Sequence, residues 1–343
     1  MASAALRSAE PEPAALPSAA PAASALPSIP AGPAAPGLPA GAGHRPGTGL
    51  LASVRGELLI LRRRPAVWVL TLVLPVNMLI GFYVTQYVDY LSVNTPDGQI
   101  WGLNPQQLLT AMSPGQYLTG ALSGFGNGYG NLGMYGAAVF MLLGALIGGG
   151  DWERGTIRVS LIQGPGRLAV ALGQCLATVI VLTAGVIGTF AAAALASAIA
   201  AVGQVGSLSA LTHGFPSAGQ VASALGAGLL LAVAYGAIGL TFGVIFRSAA
   251  AGIGAVLVWF VVVVPALEYI SAQLHGALLT LYQIFPDAAT NTISSLPNHT
   301  GLLLGYPIYG ARVAPLTAVL TLAAYAVCCL ALPAFLTCRR DIA

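Results

Sequence analysis

The chain has 343 residues, of which 57% are hydrophobic and only 7% charged, with a formal net charge of +3. A soluble domain carries roughly a quarter charged residues, so this composition excludes an ordinary water-facing surface and points to lipid as the solvent. All 13 basic residues are Arg; without Lys the pattern G-x-x-x-x-G-K-[ST] cannot be written in this chain, which excludes P-loop ATP hydrolysis by it.

Residues 1–48 are rich in Ala, Pro, Ser and Gly. They hold too few large apolar side chains to offset the entropy of ordering, which predicts a disordered cytoplasmic tail without a cleavable export signal. In residues 49–65, Leu50, Leu51, Val54, Leu58 and Leu61 share one side of a helical wheel, with Arg55, Arg62 and Arg63 off it. Two readings fit: an amphipathic helix lying in the inner membrane interface, or a plain basic flank before a span. The first span is expected at 66–88, which is free of charge; at 1.5 Å per residue it reaches about 34 Å. Pro75 inside it is tolerated where neighbours satisfy the freed carbonyl. Residues 89–132 read as a long polar outer loop, and 133–150 as a second span in which Gly144 and Gly148 allow close helix approach.

A charged segment follows at 151–168, and from Arg167 no formal charge recurs until Arg247. That interval is too long for one crossing and divides at 203–218, giving spans at 169–200 and 219–246; a fifth is expected at 249–270. Residues 271–311 are mixed; the short apolar pieces of 273–297, broken at Pro286 and Pro297, are too short to cross and read as helices that dip into the outer leaflet or lie on it. The sixth span is 313–336. Residues 66–338 are thus expected to form an all-α domain of six transmembrane helices.

Arg positions orient the chain. With the N-terminus inside, inner segments hold Arg55, Arg62, Arg63, Arg64, Arg154, Arg158, Arg167, Arg247, Arg339 and Arg340, and outer segments hold only Arg312. An odd number of crossings between any two Arg groups would spoil this separation. Both termini are therefore expected in the cytoplasm.

The 151–168 segment lies between spans two and three on the Arg-rich side. Glu153, Arg154 and Arg158 are placed to pair with one another or with a partner. Ile157 and Leu161 share one face of a short helix that Gly164-Pro165-Gly166 ends. A short surface helix of this kind is what a soluble motor would grip to move membrane helices.

The stretch GGGDWERGTIRVSLIQGPGRLAVALGQCLA, residues 148–177, resembles the corresponding region of the ABC-2 type permease family, the membrane subunits of many bacterial ABC exporters. There an acidic residue precedes Gly-Thr, and Pro and Arg precede the next span; the matching positions are Glu153, Gly155, Thr156, Pro165 and Arg167. Ile284-Phe285-Pro286-Asp287 is similar to a Leu-Pro region of that family. Gly166 and the long 89–132 loop depart from its pattern. The resemblance implies a type V exporter-like architecture in the cytoplasmic membrane of a bacterium. It further implies a second copy or a related permease as partner, and a separate ATP-binding subunit. ATP and Mg would sit on that partner, with no cofactor in this chain. Glu153, Arg154, Gly155, Thr156, Ile157, Arg158, Leu161, Pro165 and Arg167 would couple to the motor. Spans two and five line the central interface in that family, so Tyr135, Phe140, Met141, Trp259 and Phe260 would border the substrate path; lipid-facing or packing roles are the competing reading.

The remaining polar residues form no constellation. Glu268 lies at the outer end of span five, and His213, His275 and His299 have no metal-ligand spacing with acids or Cys175, Cys328, Cys329 or Cys338. No catalytic triad or paired carboxylates stand out, so neither an enzyme nor a metal site is expected, and no nucleic-acid partner. An ATP-independent secondary transporter or channel is the alternative; it would more often show internal repeats and charges in mid-span.

Overall fold

A computed structural model describes residues 46–77, 79–80, 132–156, 166–205, 217–273, 280, 282–295 and 313–339. Outside them lie residues 1–45 of the expected tail, the distal half of the first expected span, the 89–131 loop, the histidines named above, and 157–165, which hold Ile157, Arg158, Leu161 and Pro165. The elements among the described residues are all helical. They are α1 (Pro46–Arg62), α2 (Pro65–Asn77), α3 (Leu132–Glu153), α4 (Arg167–Val205), α5 (Ala218–Phe246), α6 (Ala249–Val258), α7 (Val264–Gln273), α8 (Pro286–Ser295) and α9 (Pro315–Arg339). A π-helical turn, Trp259–Val263, joins α6 to α7. Pro265 lies two residues beyond it; lacking an N–H, it cannot complete the α-helical ladder, and the wider turn absorbs the mismatch.

Four stretches among the described residues are long and apolar enough to cross a membrane: Arg167–Ile199, Ala218–Phe246, Ala249–Leu267 and Pro315–Arg339. The chain is therefore built as a helical membrane protein. Helix α2 is apolar but short, and α3 is apolar until it ends in Gly148-Gly149-Gly150 with Asp151 and Glu153.

Helix α5 is the centre of the bundle. It packs on α3, α4, α6 and α9, and its pairing with α3 is the most extensive. Small residues explain why. A Cβ on Gly239 would lie 1.8 Å from the Met141 carbonyl oxygen, one on Gly144 2.0 Å from that of Gly236, and one on Gly148 2.5 Å from that of Leu240. The two backbones meet along a seam that no side chain fits, the means by which helices associate where lipid removes the hydrophobic drive. Phe140 and Met141 are buried in the same packing.

The ends of α5 are set locally. Ser217 and Gln220 form a reciprocal capping box at its start. At its end Arg247 adopts a left-handed conformation, φ 54°, and Ser248 then caps α6. Proline inside a helix is met across the bundle as well. Pro333 in α9 cannot donate to the Cys329 carbonyl, and Thr241 Oγ1 of α5 lies 2.7 Å from that oxygen.

Helix α1 lays only part of its expected apolar side on protein, and Leu51 instead faces outward. Leu58 and Leu61 join the core, and α1 approaches α4 so closely that a Cβ on Gly173 would stand 2.3 Å from Ser53 Oγ. Its exposed side is left with Leu51, Arg55, Leu59, Arg62 and Arg63. At the other end of the bundle, α8 packs on α9 and α5. Its Asp287, Thr290, Asn291 and Thr292 are buried: Tyr282 donates to Asp287 at 3.1 Å, Tyr235 of α5 meets Thr290 at 3.1 Å, and Thr292 accepts from the Val313 N–H.

Candidate functional site: the charged end of helix α3

Helix α3 runs out of apolar residues at Gly148-Gly149-Gly150 and enters Asp151-Trp152-Glu153-Arg154. The glycines bring this turn against its neighbours, since a Cβ on Gly149 would lie 2.4 Å from the Ala249 nitrogen. Asp151 is consequently buried, at 2% exposure, and every oxygen it presents is used. Arg64, from the elbow between α1 and α2 and itself 5% exposed, donates Nη2 to Asp151 Oδ1 in a buried ion pair. Gln174 of α4 donates Nε2 to Asp151 Oδ2 at 2.8 Å and lies 3.3 Å from the Ile147 carbonyl. Thr156 closes the turn by donating to the Asp151 carbonyl at 3.1 Å. One carboxylate thus fastens α3 to the α1–α2 elbow and to α4.

Glu57 of α1, outside the apolar spans, completes the cluster. Its Oε2 is buried without a hydrogen-bond partner, as are Nε and Nη1 of Arg64. Burial, then repulsion from Asp151, push the Glu57 carboxyl up to about 7, against the attraction of Arg64. A carboxylic acid near its midpoint at neutral pH therefore lies beside a guanidinium that has one edge engaged and one edge free.

Two residues on, Glu153 points to another element. Its Oε1 accepts from Ser248 Oγ at 2.6 Å and from the Ala249 and Ala250 N–H groups at 2.9 and 3.4 Å. A carboxylate is thereby seated on the N-terminus of α6, where the helix dipole and free N–H groups favour negative charge. The Ser248 hydrogen bond, with those of the backbone and the charge of Arg154, holds the carboxyl below its usual range against the opposing effect of desolvation. Beside it, Arg247 stacks over Trp152 with 5.2 Å to the ring centroid.

The sequence-selected residues thus fall into different settings. Glu153 and Thr156 bond inside the bundle's charged end; Arg154 donates Nε to the Gly150 carbonyl at 3.0 Å; Gly155 takes φ 66°, a left-handed turn that suits glycine. Arg167, at the start of α4, reaches the Cys338 carbonyl of α9 at 3.4 Å. Of the residues assigned to a substrate path, Phe140, Met141 and Phe260 are buried, Phe260 with its ring 6.1 Å from that of Tyr235, and Trp259 is half-buried with its ring 6.5 Å from that of Phe285. Tyr135 is on α3; its side chain is outside the described set. These aromatic residues do not gather with the charged cluster.

Asp151, Arg64, Glu57 and Gln174 carry the site, and sequence patterning does not single them out. One signal was available: an acid closing an 18-residue apolar run needs a partner inside a membrane protein, and Arg64 is one of the cations assigned to that end. Among the described residues, no three His, Cys, Asp or Glu side chains converge as metal ligands. The arrangement is mechanical: displacing the end of α3 pulls on the elbow, α4 and α6 together. No family model matches the chain, and no curated protein matches it.

Proposed function

We propose that the chain is the transmembrane permease subunit of a bacterial ATP-binding cassette exporter of the ABC-2 type. In this reading six spans cross the cytoplasmic membrane with both termini inside. A second permease, identical or related, completes the pathway, and a separate ATP-binding subunit holds ATP and Mg. The observation that carries the reading is the concentration of inter-helix bonds at the end of α3, immediately before the surface segment expected to meet the motor. Asp151 holds the α1–α2 elbow and α4, and Glu153 holds α6. A load applied to residues 154–168 reaches four helices within one turn of its point of entry. ATP would act through its preference for the closed motor, since a ligand shifts an equilibrium only by its differential affinity for the two states.

The test is to seek beside this gene one that encodes an ATP-binding subunit with a Walker A motif, co-express the two, and follow with co-purification and reconstitution. A stable complex with ATP turnover is expected, and Glu153→Ala and Thr156→Ala are expected to lower turnover while the complex still assembles. Wild-type association and turnover in both variants would count against the grip. Solute flux through vesicles holding this chain alone, without ATP, would favour the secondary transporter or channel.

A further inference from the structure

The side of α1 that faces away from the bundle carries Leu51, Arg55, Leu59 and Arg62 at intervals of four, four and three residues, one continuous stripe of a helix. Arg63 extends it into the elbow, and all three Arg are exposed. The acid of this helix, Glu57, is turned inward to Arg64 and Asp151 and does not offset them. No acidic residue stands in the first turn of α1 or of α2. The stripe is amphipathic along its length: Leu51 is 75% exposed and Leu59 56%, between the cationic heads. Trp68, half exposed on α2, donates its indole N–H to the Arg62 carbonyl at 2.8 Å, which fixes the elbow and places an amphipathic ring beside the guanidinium groups.

We infer that this stripe is a binding site for anionic phospholipid in the leaflet at the Arg-rich end. Arg55, Arg62 and Arg63 engage headgroup phosphate while acyl chains lie on Leu59, Trp68 and the exposed side of α2. The alternation decides the class of partner. A soluble polyanion would leave Leu51, Leu59 and Trp68 in water, and a zwitterionic headgroup would bring its own cation against the guanidinium groups. Guanidinium binds phosphate in a bidentate fork, and tryptophan settles at the depth of headgroups. The site is independent of any motor or substrate.

The test is native mass spectrometry of the full-length protein in detergent, offered equimolar phosphatidylglycerol and phosphatidylcholine. Retention of phosphatidylglycerol over phosphatidylcholine is expected. Each Arg→Gln change should loosen it about fivefold, and R55Q/R62Q/R63Q should abolish the preference. The charge-keeping R55K/R62K/R63K variant should restore most of it, which separates lost charge from lost fold. Equal retention of the two lipids, or an unchanged preference in the triple Gln variant, would overturn the inference. Displacement of phosphatidylglycerol by millimolar inorganic phosphate would replace the lipid site with a free-anion site. A dimer that falls to monomer in the triple Gln variant would put a second copy of the chain on this face.

Discussion

Glu57→Gln tests the charged cluster through the sign of its effect, which should reverse with the background it is made in. In the native cluster Asp151 occupies one edge of Arg64, and Glu57, pushed up to about 7 from 4.5, resists ionising. The folded state therefore holds a proton that the unfolded chain has lost. Folded pKa lies above unfolded pKa, so this stabilisation is complete below pH 4.5, falls as pH rises to about 7, and is flat beyond. The difference is worth up to about 3 kcal/mol, so Gln at position 57 should stabilise the protein at pH 8 by about 1–3 kcal/mol and remove that slope. In an Asp151→Leu background the roles invert. Arg64 is buried and has lost its partner, which costs about 3–5 kcal/mol unless a second carboxylate replaces it. Glu57, freed of Asp151's repulsion, can ionise onto the free Nε–Nη1 edge, so D151L alone should lose only part of that amount and E57Q/D151L all of it. Thermal unfolding of the full-length protein in detergent at pH 8 reads both effects; Tm should rise with E57Q in the native background and fall with it in D151L. A shift of the same sign in both backgrounds would refute the shared-guanidinium account.

Gly144→Leu and Gly239→Ala should separate α3 from α5 and lower Tm sharply or abolish accumulation. Gly226→Ala and Gly254→Ala, whose added Cβ meets nothing within 4 Å, should be neutral or stabilising by up to about 1 kcal/mol. Thr241→Val should cost about 1 kcal/mol by stranding the Cys329 carbonyl, and much less in a Pro333→Ala background where the α9 ladder can close, a double-mutant cycle read by Tm. Ser248→Ala and Glu153→Ala should each cost about 0.5–1 kcal/mol, and the pair less than the sum, because both cap α6.

Helical character and the close-packing glycines are readable along the chain because both are local. Spacing alone marks Gly144 with Gly148 and Gly239 with Gly243, and these prove to be two sides of one seam. The end of α5 is announced by the charge at Arg247 and the capping hydroxyl of Ser248. The partners of Asp151 are not readable in this way, since Arg64 and Gln174 are 87 and 23 residues distant and only the fold joins them. Charge counting by side of the membrane treats Arg64 like Arg62 and Arg63, yet one is buried in an ion pair and two are exposed. The wheel of α1 groups Leu50, Leu51, Val54, Leu58 and Leu61, yet only Leu58 and Leu61 join the core while Leu51 turns outward among the Arg residues, and the wheel does not reveal that α4 packs on this helix. The short polar helix α8 escapes hydropathy for the same reason: Tyr235 and Tyr282, which make its burial tolerable, come from outside it.

Coupling through the end of α3 requires that the Arg-bearing helix ends share one face of the bilayer. Single cysteines at Arg154 and Arg339, in a background with the four native cysteines replaced, can be labelled with a membrane-impermeant maleimide in right-side-out and inverted vesicles. Both positions are expected to react only in inverted vesicles. Reaction of one position from each side would contradict the six-span topology, and the proposed motor contact with it.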